Sequence, residues 1–128
     1  MIPQELSRDL EQLRALGYAV EGVTELPGET LVVFSAFKLP DGKYNMETCR
    51  LLVRVPQGYP NAAIDMFYTQ PNLLLASGAP ARQSDVLEEL GGAVWRRFSW
   101  HRNVAWKPGV DTLTSYASFI EDNFARGQ

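Results

Sequence analysis

The sequence predicts a single α+β domain spanning residues 1–128, and three observations carry that prediction. Apolar residues recur at helical spacing near the start, β-rich runs broken by Pro/Gly turns fill the middle, and a second helical stripe closes the chain. With 128 residues, 45% of them hydrophobic, the chain can bury roughly two-thirds of its unfolded surface. That suffices for one core and excludes a disordered chain.

Between Pro3 and Gly17, Leu6, Leu10, Leu13 and Leu16 form a stripe, with Arg8, Asp9, Glu11, Gln12 and Arg14 on the other side. Gly17 stands where a helix commonly ends in a left-handed residue. Four runs of strand character follow: Ala19 to Leu26, Leu31 to Leu39, Tyr44 to Val55 and Ile64 to Thr69. Pro27-Gly28, Pro40-Asp41-Gly42 and the proline-bearing stretch from Pro56 to Pro60 separate them, which predicts a four-stranded antiparallel meander. Residues 70–92 are less regular. Within them Ser84 is placed to cap a short helix ending at Gly91-Gly92. Residues 94–106 have no clean period and read as an ordered loop with extended pieces. The last helix is expected from about Asp111 to Phe124, with Asp111 as its N-cap and Leu113, Tyr116, Ala117, Ile120 and Phe124 as its buried stripe.

Composition narrows the function classes. Fifteen acidic residues against twelve basic ones give a net charge of −3, so attraction to a phosphate backbone is not expected and nucleic acid is not an expected partner. One cysteine and one histidine leave no Cys/His zinc set, and no metal or cofactor is expected. There is neither a signal-like start nor a membrane-spanning apolar run. A reducing, cytoplasmic setting is the expectation.

Two local signals give the element order a family likeness. Tyr59-Pro60 follows the third strand and precedes Ile64-Asp65-Met66-Phe67-Tyr68, and Trp106-Lys107-Pro108 stands ahead of Asp111 and the final helix. Together they resemble the ubiquitin-conjugating enzyme (UBC) fold. The chain is similar in particular to the prokaryotic ubiquitin-conjugating-enzyme-like family E, through Gly58-Tyr59-Pro60, Asp65-Met66-Phe67-Tyr68 and the run from Trp95 to Arg102 leading into Trp106-Lys107-Pro108-Gly109-Val110-Asp111. The resemblance implies a bacterial protein whose partners are a ubiquitin-like protein and its activating enzyme.

It also exposes departures. Conjugating enzymes carry the ubiquitin-like tail as a thioester on a cysteine about eight residues before that tryptophan. Here the position is Phe98, and Cys49 lies instead in the third strand. The family's His-Pro-Asn turn is only echoed by Gln70-Pro71-Asn72.

The candidate site is therefore the Ser99 to Asn103 segment. His101 has the one side chain whose ordinary pKa lies near neutrality, which suits a general base toward Ser99 or a transient acyl or phosphoryl acceptor; its bland alternative is an ordering hydrogen bond. Ser99 is two residues away, on the same face of an extended segment, and Asp65 could orient the imidazole, although a strand-end Asp is often just solvated. Arg96, Arg97 and Arg102 carry guanidinium groups suited to the terminal carboxylate of a ubiquitin-like tail, with Asn103 beside them; the plainer reading is a solvated basic edge. Two functions follow: a transferase working without a cysteine, or a non-catalytic UBC-fold module that binds a ubiquitin-like protein or its activating enzyme. A generic hydrolase ranks behind both, since no Gly-x-Ser-x-Gly elbow is present.

Overall fold

The computed structural model describes residues 2–99 and 105–126. The first helix, α1 (Gln4–Ala15), forms where the leucine stripe predicts it, with Leu6, Leu10 and Leu13 buried. It ends in a Schellman turn: Gly17 takes φ +99°, its N–H donates to the Arg14 carbonyl at 3.1 Å, and the Tyr18 N–H donates to the Leu13 carbonyl at 3.0 Å.

Strands β1 (Val20–Leu26), β2 (Glu29–Lys38), β3 (Thr48–Pro56) and β4 (Phe67–Thr69) follow as expected, each shifted by a few residues at its ends. The positive φ of Met66 delays β4 until Phe67. The sheet does not stop there. Residues 84–91, expected to be helical, instead supply β5 (Val86–Leu90), and the start of the expected loop is β6 (Ala93–Phe98). Gly91 and Gly92 take φ +59° and +85°, so two consecutive left-handed residues turn the chain into a tight hairpin and cannot end a helix as predicted. The result is one antiparallel sheet of six strands rather than four, in the order β1-β2-β3-β4-β6-β5.

The second helix, α2 (Leu113–Arg126), packs beside α1. Its N-cap is Thr112, one residue beyond the expected Asp111. The Thr112 Oγ accepts the Ser115 N–H at 3.2 Å while the Ser115 Oγ accepts the Thr112 N–H at 2.9 Å, a reciprocal cap. Asp111 closes the preceding turn by accepting the Lys107 N–H at 2.8 Å.

Both helices cover one sheet face, where Leu6, Leu13, Val32, Leu51, Val53, Phe67, Phe98 and Phe124 form the main core. The other face carries a smaller cluster of Leu31, Leu52, Tyr68 and Trp95. Among the described residues four Arg–Glu pairs tie the strands together, Arg50–Glu21, Arg54–Glu29, Arg54–Glu88 and Arg97–Glu88, and the Arg50 guanidinium lies 5.3 Å from the Trp95 ring centroid.

Candidate functional site

The candidate segment begins in sequence where β6 ends. Phe98 is the last strand residue; its ring stacks on Phe67 with centroids 4.9 Å apart, meets Phe124 edge-on, and is 1% exposed. The position at which the resemblance implies a thioester cysteine thus holds an aromatic side chain buried in the core. Ser99 follows, half-buried; its N–H donates to the Gln83 carbonyl at 2.9 Å and its Oγ accepts from the Arg97 Nε at 3.0 Å. His101, Arg102 and Asn103 lie outside the described residues.

Asp65 is exposed, and its carboxylate accepts the Met66 N–H at 3.1 Å. Because Phe67 pairs with Phe98, Asp65 and Ser99 sit at the same end of the sheet.

The two adjacent arginines part company, since neighbouring residues of a strand project to opposite faces. Arg96 bonds through Nε to the Pro71 carbonyl at 2.9 Å and through Nη1 to the Ser84 carbonyl at 2.5 Å, which pins the 70–84 segment to β6. Arg97 turns the other way and pairs with Glu88 at 2.5 Å. The two guanidinium groups therefore do not form a joint carboxylate clamp.

Cys49 lies in β3, 2% exposed, and burial pushes its thiol up to about 12. A thiol held protonated in the core is a poor nucleophile at neutral pH. Among the described residues, no group of three or more His, Cys, Asp or Glu side chains is placed to hold a metal ion. A groove of about 790 Å³ is lined by residues that include Leu16, Tyr18, Phe37, Lys38 and Glu121, and by none of Ser99, Asp65, Arg96 and Arg97.

Around Tyr59, in the turn after β3, is a buried polar network that sequence reasoning missed. Tyr59 is 4% exposed; its hydroxyl donates to the Asp9 carboxylate and accepts the Leu113 N–H at 2.8 Å. The Trp106 indole N–H donates to the Pro60 carbonyl at 2.8 Å, and its ring lies 6.2 Å from that of Tyr59. Tyr59-Pro60, a cis peptide, is thus the hub joining α1, the turn after β3, the Trp106 segment and the first turn of α2. Asp9 falls outside the leucine stripe in the sequence, yet it is only 7% exposed. The available signal is its position three residues after Leu6 and four before Leu13, on the margin of the apolar stripe.

A family model described as Prokaryotic E2 family E matches residues 5–127, nearly the whole described chain. The chain belongs to this family. No curated protein and no solved structure matches it. In this family E chain the expected α+β, E2-like fold is present, with β5 and β6 extending the sheet beyond the four strands that the sequence predicts. No helix among the described residues is long and apolar enough to cross a membrane.

Proposed function

We propose that this family E protein acts in a bacterial ubiquitin-like modification pathway and engages a ubiquitin-like protein and its activating enzyme through the Ser99–Asn103 segment, without forming a thioester on cysteine. The observation that carries this reading is the position of Cys49, the chain's one cysteine, buried in β3 with its thiol protonated. The segment that follows the core residue Phe98 in sequence is where chemistry or recognition is then available. In this reading His101 serves as general base or transient acyl acceptor, with Ser99 and Asp65 in the supporting roles, and Arg102 with Asn103 receives the partner's carboxylate. Arg96 and Arg97 hold the end of β6 in place, since both are engaged inside the fold. An unpaired cysteine suits a reducing cytoplasmic compartment.

One observation favours the non-catalytic module. Ser99 is half-buried and its Oγ already accepts from Arg97, so it is not poised as an open nucleophile. Incubation with a ubiquitin-like protein, its activating enzyme and ATP, read by intact mass and by binding, separates the readings. An adduct lost in His101→Ala supports a transferase, because a general base acts on the transition state more than on the ground state. Measurable affinity with no adduct supports the module. Absence of both adduct and affinity would overturn the pathway reading.

A further inference from the structure

The β5–β6 hairpin, which lies beyond the four expected strands, carries an unusual edge. Among the described residues β5 is the last strand of the sheet, paired on one side only. The tight turn at Gly91-Gly92 makes Leu90 and Ala93 a hydrogen-bonded pair, so bonding to β6 alternates back through Glu88 and Val86. The main-chain N–H and C=O groups of Leu87 and Glu89 consequently face outward. Among the described residues nothing bonds to them.

The hairpin that carries this edge mixes exposed apolar and acidic side chains. Val86, Leu87 and Val94 are 37%, 51% and 47% exposed, and they make up three of the six exposed large apolar side chains among the described residues. The opposite edge, β1, has a register shift between Val20 and Gly22, an ion pair at Glu21 and a Pro-Gly turn at its end. β5 has neither bulge nor proline.

Charge says what would cover it. Glu88 is turned to the Trp95 face and neutralised by Arg97. Asp85 and Glu89 are exposed, alternate with Leu87, and have no hydrogen bond or ion pair among the described residues. The edge therefore offers an acidic–apolar–acidic line beside two open pairs of main-chain groups. A second copy of this chain would set that acidic line against its own equivalent, which is unfavourable.

We propose that the free edge of β5 binds an extended polypeptide segment by antiparallel strand addition, a segment in which lysine or arginine alternates with apolar residues. Main-chain bonds to Leu87 and Glu89 supply the pairing, and Asp85 and Glu89 select the basic side chains. Since the Asp85 end of β5 lies beside Ser99 through the Gln83–Ser99 hydrogen bond, an antiparallel segment points its C-terminal end toward Ser99. The proposal goes beyond the pathway reading and stands without it.

The test uses the whole protein and three synthetic peptides: (Lys-Val)3, (Glu-Val)3, and (Lys-Val)3 with alternate backbone amides N-methylated. (Lys-Val)3 should bind in a salt-dependent manner and slow amide exchange at Leu87 and Glu89 by at least about tenfold. Asp85→Lys combined with Glu89→Lys should weaken binding by at least about tenfold while leaving buried β3 amides protected, and both other peptides should bind poorly. Equal binding of the N-methylated or acidic peptide, equal binding to the charge-reversed protein, or unchanged exchange at Leu87 and Glu89 would overturn the proposal. So would protection of those amides that rises with protein concentration alone, which would make a second copy the occupant.

Discussion

The phenol of Tyr59 donates its proton to the carboxylate of Asp9, across fifty residues of sequence, while its oxygen accepts the N–H of Leu113 in the first turn of α2. One hydroxyl thereby satisfies a buried acid from α1 and a backbone donor that the start of a helix would otherwise leave unpaired. Tyr59→Phe strips both at once. A loss of about 2–3 kcal/mol in denaturant unfolding is expected; a change below about 0.5 kcal/mol would show that the network carries little stability.

Asp9 also makes stability depend on pH. Burial raises its pKa above the ordinary 3.8, outweighing the Tyr59 and Leu113 hydrogen bonds that lower it. The folded state then binds the proton more tightly than the unfolded chain. Its contribution is present in full below the ordinary Asp pKa and is lost as pH rises through the raised folded value. Asp9→Asn removes this dependence. The wild type should lose stability relative to Asp9→Asn as pH rises from the low-pH limit to neutrality, and a difference that moves the opposite way would contradict the assigned direction.

Cys49 should behave as an interior thiol. Burial pushes it up to about 12, and Tyr44 likewise reaches about 12, chiefly through burial. Both acids stay neutral in the fold when the unfolded chain has begun to ionise, so stability should fall as pH rises from about 9 toward 12. Cys49→Ala should flatten that decline, and iodoacetamide should label the native thiol only after denaturation. Rapid labelling of native protein at neutral pH would contradict the buried placement.

Trp106 fastens the segment ahead of α2 by packing against the core and by its bond to the Pro60 carbonyl. Trp106→Ala should cost about 2–4 kcal/mol, and Trp106→Phe, which keeps most of the ring contact but not the bond, about 1 kcal/mol. Equal losses in the two variants, measured by thermal unfolding, would mean that the hydrogen bond rather than the ring carries the anchoring.

The legible parts of this fold are those where one periodicity has no competitor. The Leu6–Leu10–Leu13 stripe with Gly17, the Pro/Gly-separated strands and the Leu113–Phe124 stripe each specify one local structure. Residues 84–91 do not. Ser84, early acids, Leu87 and Leu90 at a spacing of three and a terminal Gly-Gly satisfy a capped helix as well as they satisfy a strand and an I′ turn. What decides for the strand is nonlocal: β6 is already paired to β4, leaving its other edge for β5. The site was legible in part, because Cys49 reads correctly as a residue of the third strand while the separation of Arg96 and Arg97 depends on recognising β6 as a strand. Asp9 was missed because a residue on the margin of a helix stripe is buried or exposed according to its tertiary partner, and that partner, Tyr59, is remote in sequence.

The central claim, that this family E protein works without a cysteine thioester, meets its most direct test in intact mass spectrometry after incubation with a ubiquitin-like protein, its activating enzyme and ATP. Wild type and Cys49→Ala should give identical spectra, with no adduct that free thiol removes. A thiol-labile adduct present in wild type and absent in Cys49→Ala would contradict the account.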